Sequence, residues 1–579
     1  MRKILLWAFL INLLMLFTAC ETEKTEDDWL KELRDRRTRD AALMYVQTHK
    51  TKAAVPILLQ LVEKRYTTIP SIYTLGLIGD PVAVPKLIEV LKQVAIKDSV
   101  DLDRMTEQLC MSLGMIGDKA AVEPLLWVLE NPNAGAMGKA GAVQALGMIG
   151  DKRAEPKLIE MLMNPSENLV IRHYAAISLG EIKAEKAGEA LCYALFVDDE
   201  TGRNLFRDAQ LSMIQIGNQD IVDNLIKCYD LQNVKANELA QSIKLKPEWI
   251  QIKAINVMGQ MRDDRLMPKM IEEFEKGLND KIVYELYAKV IQAIGVAANI
   301  KAEPVLAKAF MTTPKSTEYL NEKEIIANAL IDIGQSEHLD AFMSIAEKGD
   351  MNLKNPYGKP ESYAQYCLAA ANVVTMLGDA TYVDRYKKFL ESGKCKAPIY
   401  GLKETTPKLL SSFTKRLEAA AECKDDMNCW LGKLKSDNWA ERQKAIYVLA
   451  NTGDKEKYSK AVLETMYYPN EQVRDAVVYF AWKMATPETI VNYFSLWQEQ
   501  KLNKEFQKTT ENLGYVLTWH MREMGLDTPE KKKEIEQKAT ELSTARKDSL
   551  KGAAAPADGA AKKDGEQAGT GEEGDWQKI

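Results

Sequence analysis

Along most of this chain apolar residues return at i, i+3, i+4 and i+7, as at Leu87, Val90 and Leu91, the period of an amphipathic helix. The helical stretches are punctuated by a phrase that repeats. Residues 74–91 read TLGLIGDPVAVPKLIEVL, residues 112–129 SLGMIGDKAAVEPLLWVL and residues 145–162 ALGMIGDKRAEPKLIEML, the last two displaced by 33 residues. Weaker copies begin at residues 178, 213, 257, 293, 330, 376 and 448, and a copy without glycine opens the series at 45–62. A ligand-binding loop is ordinarily used once, so a phrase that recurs points to architecture.

The turn inside each copy falls at Gly79, Gly117, Gly150, Lys183, Gly217, about Arg262, Gly295, Gly334, Gly378 and Gly453. Glycine suits the residue just past a helix end, where φ is positive, and Asp80, Asp118 and Asp151 follow as N-caps of the next helix. Pro81 then takes the first helical position. Gly147, one turn earlier, is the small residue that lets helices approach. No strand precedes these glycines and no Lys-Ser/Thr follows them, which excludes a phosphate loop. Most spacings are 33 to 45 residues; the last, 75, leaves room for one divergent copy, and a further helix pair is expected at 471–500. The prediction is an all-α chain, an α-solenoid of about eleven or twelve helix pairs over residues 29–500.

The run VIRHYAAISLGEI at 170–182, with LGMIGDKRAEPKLIEML before it, resembles the HEAT-like repeats of phycobilisome lyases and of many bacterial scaffolding proteins. The resemblance implies stacked helix pairs with one helix of each pair lining a concave surface. Members of that family mostly bind other proteins, and the lyase subgroup handles bilins, for which nothing in this sequence provides a site. It also implies that Arg172 and Arg474, early in a second helix, stack neighbouring repeats. His173 reads as a packing or solvent-facing neighbour.

The chain opens with Met1-Arg2-Lys3 and a 14-residue apolar run, too short for a comfortable membrane span. It closes on FTAC at 17–20, which resembles the lipobox of bacterial lipoprotein signal peptides, with Phe17 where leucine is usual. That resemblance implies cleavage after residue 19 and acylation of Cys20. Glu21, rather than Asp, leans towards the outer membrane. Residues 20–28 would then be an acidic tether reaching roughly 25 Å if extended.

Chemistry narrows little further. A net charge of −6 on 579 residues argues against a nucleic-acid partner. His49, His173, His338 and His520 lie far apart, so no metal site and no cofactor is expected, and no HExxH, GxSxG or Cys–His motif marks a catalytic residue. Asp263-Asp264 and Asp425-Asp426 read as capping carboxylates. Cys110, Cys192, Cys228 and Cys367 read as small core residues within helices. Cys423 and Cys429 close a polar loop and are a candidate disulfide, with Cys395 competing for either partner.

Insertions at 232–249, 312–324 and 349–363 read either as tolerant turns or as binding loops. Arg34, Arg36, Arg37 and Arg39 interleave with Asp35 and Asp40, which favours a salt-bridged first helix over contact with lipid head groups. Residues 501–545 form a charged helical segment, and 546–579 a low-complexity tail with Trp576 near its end. The expected function is a lipid-anchored scaffold that docks envelope proteins on the periplasmic side. The competing expectations are a carrier or lyase of the bilin type and a passive spacer.

Overall fold

The recurring phrase folds as two helices joined by a capped turn. In the computed structural model the helix Ala136–Ile149 ends at Gly150, whose φ is +73°, and the Asp151 carboxylate accepts from Arg153 N–H at 3.0 Å. A short 3-10 turn, Lys152–Ala154, then leads into the helix Glu155–Met163. Asp80 and Asp118 do the same for Val82 N–H and Ala120 N–H. The structure describes residues 24–553 apart from 64–67, 96–98, 199–202, 315–316, 356, 400–404, 452–453, 502–505 and 527–528. Among them the only strands form one hairpin; the rest of the regular structure is helical, an all-α fold of successive helix pairs as expected.

Positive φ also falls at Gly79, Gly117, Gly217, Gly334, Lys183 and Arg262, where the repeat predicted turns. Gly295 and Gly378 depart from that expectation. The helix Tyr284–Ala297 continues past Gly295 and turns at Ala298, whose φ is +50°, and Asn299 caps the 3-10 turn Ile300–Ala302. Aligned with ALGMIGD, Gly295 therefore matches Gly147, and Ala298 matches Gly150. Gly378 is extended at φ −71°, and a Cβ there would fall 2.4 Å from Val374 O, so it serves a close approach. Gly453 lies outside the described residues.

Small residues bring successive repeats together. A Cβ on Gly114 would lie 2.7 Å from Ala145 Cα, and one on Gly295 3.0 Å from Ala329 Cα. Serines cross the same seam: Ser112 Oγ donates to Ile72 O at 2.9 Å, Ser178 Oγ to Val143 O at 3.0 Å and Ser212 Oγ to Ala176 O at 2.7 Å. Behind this seam leucine, valine and alanine fill the core, as at Leu87, Leu113, Leu146 and Leu179. Gly114→Ala forces a side chain against backbone and is expected to cost about 1–3 kcal/mol. Faster amide exchange in the helices Val100–Ile116 and Ala136–Ile149 would register it; unchanged exchange would show that the seam yields freely.

The chain divides into two compact units, Met1–Lys444 and Ala445–Ile579, a break inside the stretch 29–500 expected to be one run. In the first, a helix pair at Thr406–Cys423 and Met427–Lys433 occupies the long interval before residue 453. The expected tether is partly helical: Glu26–Glu32 forms a helix capped by Thr25. In the second, the helices Glu471–Met484 and Pro487–Gln500 form the expected pair. The last helix, Pro529–Ala553, passes the expected limit at 545, and its Arg546 reaches Glu499 at 2.8 Å and the Tyr467 hydroxyl at 2.9 Å. Residues 1–23, with Cys20, and 554–579, with Trp576, lie outside the described residues.

Candidate functional site

The insertion at 349–363 folds into a hairpin that the repeat pattern does not require. Met351–Lys354 pairs antiparallel with Pro360–Tyr363, Met351 facing Tyr363 and Lys354 facing Pro360. Asn355 shapes the tip: its side chain accepts from Tyr357 N–H at 3.0 Å and Lys359 N–H at 2.9 Å. Gly358 supplies the positive φ, +76°, that the turn needs. Tyr357 is held there 88% exposed. An exposed aromatic ring with a polar tip, on a backbone held by the turn, has few torsions to order on contact.

The base of the hairpin is fastened from three sides. Asp350 N–H donates to Lys394 O at 2.9 Å, and the Asp350 carboxylate accepts from Lys396 N–H at 3.0 Å and Ala397 N–H at 3.0 Å. Cys367 and Cys395 are joined across the same point. Asp350, Cys367 and Cys395 lie close enough to suggest a metal cluster, but the sulfurs are bonded to each other and the carboxylate is engaged by backbone N–H groups. Lys348, Lys354, Lys359, Lys394 and Lys396 surround the base and strands, all exposed. The arrangement offers an exposed aromatic ring beside several cations.

Two further disulfides change the reading of the cysteines. Cys192 and Cys228 are bonded, although each was expected to be a lone core residue, and so is Cys367 with Cys395. The reason is the repeat itself: residues 192 and 228 are 36 apart, about one period, so they come side by side on stacked helices. That spacing was the signal available in the sequence. Cys423 and Cys429 are also bonded, and Cys395 does not compete for them. Cys110 remains a buried thiol whose pKa burial pushes up.

Arg172 is buried, and its Nε donates to Leu162 O at 2.9 Å while the guanidinium reaches the Tyr193 hydroxyl at 3.4 Å. Arg474 donates to Tyr468 O at 3.3 Å and lies 4.3 Å from the Phe506 ring. Both reach back to a carbonyl near the end of the preceding helix. Arg39 does the same to Leu33 O at 2.8 Å, and Arg442 to Ser436 O, positions that the repeat phrase does not mark. His173 bonds Asp208 at 2.8 Å.

The most perturbed cation is also structural. Lys444 is buried with Nζ among the carbonyls of Thr375, Met376 and Gly378 at the end of the helix Gln365–Leu377. Burial, and then the Arg416 guanidinium, push its pKa down to about 7, against the pull of Asp379. Arg416 donates to Asn372 at 2.7 Å and Thr375 at 3.1 Å and covers the Phe413 ring at 4.0 Å. Sequence periodicity placed neither residue, because a lysine inside a helix reads as exposed.

Comparison with known proteins agrees with this architecture. The family described as PBS lyase HEAT-like repeat matches residues 139–162 and 171–196. No curated protein matches the chain. Among solved structures, human deoxyhypusine hydroxylase in complex with glycerol is 16% identical over 50% of this chain and 96% of its own, with a TM-score of 0.21, too low to carry an argument. The segments 139–162 and 171–196 of this chain are similar to HEAT-like repeats of the PBS lyase type.

Proposed function

We propose that the chain is a membrane-anchored scaffold of the bacterial cell envelope that binds a protein partner and catalyses no reaction. The observation that carries this reading is the fastened hairpin, which displays Tyr357 from an array of helix pairs. Repeats supply surface, and an ordered insertion supplies specificity. Three disulfides favour an oxidising compartment, in keeping with a chain acylated at Cys20 and held at the outer membrane facing the periplasm.

The test is cross-linking in cells followed by purification from detergent-solubilised membranes, with Tyr357→Ala and Cys20→Ala alongside. A stoichiometric envelope protein is expected with the wild type, reduced about tenfold or more by Tyr357→Ala, the loss of a hot-spot aromatic. Cys20→Ala should release the chain from membranes. Partner recovery unaffected by Tyr357→Ala would remove the hairpin from the reading. A co-purifying small molecule with no protein partner would turn it towards a carrier or lyase.

A further inference from the structure

The arginines at 34–39 do not form the salt-bridged helix that their sequence suggests. Residues 33–38 make the turn between the helices Glu26–Glu32 and Arg39–His49, and Arg34, Arg36 and Arg37 stand exposed on it. None of the three has an ion-pair partner among the described residues. Asp35 is occupied with Arg37 N–H at 2.9 Å, and the lysines nearby are already paired, Lys24 with Glu32 at 2.7 Å and Lys31 with Asp28 at 3.6 Å. Arg39 alone turns inward, where its bonds to Leu33 O and Arg34 O, at 2.8 and 3.2 Å, hold the turn that displays the others.

Beside this turn the two helices carry a ring stack. Trp29 lies 5.0 Å from Tyr45, and Tyr45 lies 4.1 Å from His49, with Met44 69% exposed on the same helix. Cations with amphipathic rings suit a lipid–water interface, where the charge meets head groups and the ring edges sit among them. Asp35 on the turn and Glu26, Asp27 and Asp40 on the helices are also exposed, so the turn keeps a net excess of cations that the helix pair as a whole does not.

We infer that the Arg34–Arg37 turn is a second membrane contact, seated on anionic lipid head groups. This rests on the anchor proposed at Cys20. Residues 21–25 and the helix Glu26–Glu32 separate that cysteine from the turn, which keeps it within roughly 30 Å of an acylated end. Charge complementarity selects the occupant: a surface rich in phosphate groups fits three unpaired guanidinium groups better than a neutral one.

The full chain, purified from detergent, is reconstituted in vesicles of phosphatidylcholine alone or with about one-third phosphatidylglycerol, and arginines are modified with phenylglyoxal. Exposed Arg104 serves as the internal reference. Modification at Arg34, Arg36 and Arg37 should slow about fivefold or more on the anionic vesicles at low salt, and recover when salt screens the contact. Equal rates on both vesicles overturn the inference, and protection on neutral vesicles overturns it too, because a protein surface would then cover the turn. The mass of the N-terminal peptide in the same sample reports whether Cys20 is acylated, so failure of the anchor is read separately. If it is not acylated, salt-dependent flotation with anionic vesicles decides: retention by the Arg→Lys triple variant and loss in R34E/R36E/R37E sustain the contact, and no flotation overturns it.

Discussion

Lys444→Met is expected to lower stability by about 3 kcal/mol at pH 9.5, with a smaller loss at pH 6.5. The amine sits among three carbonyl oxygens at a helix end, two of which its neutral form can serve, and methionine leaves them buried without a donor. The pH dependence follows from the direction of its pKa, depressed from an ordinary 10.5 to about 7 in the fold. Between those values the unfolded chain binds the proton and the folded chain does not, so stability rises with pH, by up to about 1.4 kcal/mol per unit. Below about pH 7 both states are protonated and the folded state carries the burden of a buried charge. Methionine lacks this dependence. Urea titrations of wild type and variant at the two pH values measure it, and a difference that stays flat would mean that the carbonyls keep the ammonium charged.

Cys192→Ala with Cys228→Ala should cost about 3–4 kcal/mol in the oxidised protein, from the 36-residue loop that the bond closes. Reductant should bring the wild type down to the variant and leave the variant nearly unmoved at this bond. The comparison is read by urea titration with and without reductant, and by alkylation of the two cysteines. Alkylation of both before reduction would refute the pairing. Because repeat arrays can unfold in parts, amide exchange in the helices Gly188–Ala194 and Gln219–Tyr229 locates the loss.

The periodic apolar face and the Gly-Asp turns are legible because both are local: a helix end needs a positive φ, and a cap needs a side-chain acceptor within two or three residues. Hence Gly150 and Asp151 stand where the repeat predicts them. Gly295 breaks the expectation because two glycines of the phrase do different work. One ends a helix and the other meets the next repeat, and only the positive φ at Ala298 tells them apart. The arginine turn escapes the pattern because interleaved charges look like helical ion pairs until the backbone bends between them.

Element type, the repeat and its punctuation depend on neighbours along the chain, so the order of residues suffices for them. Packing between helices was needed for the rest. It brings Cys192 to Cys228, sets Lys444 into a helix end 66 residues away, and leaves Tyr357 standing out on a fastened hairpin. Those outcomes turn on which side chains are stacked a repeat apart or directed inward, and no local pattern of apolar and polar residues encodes that.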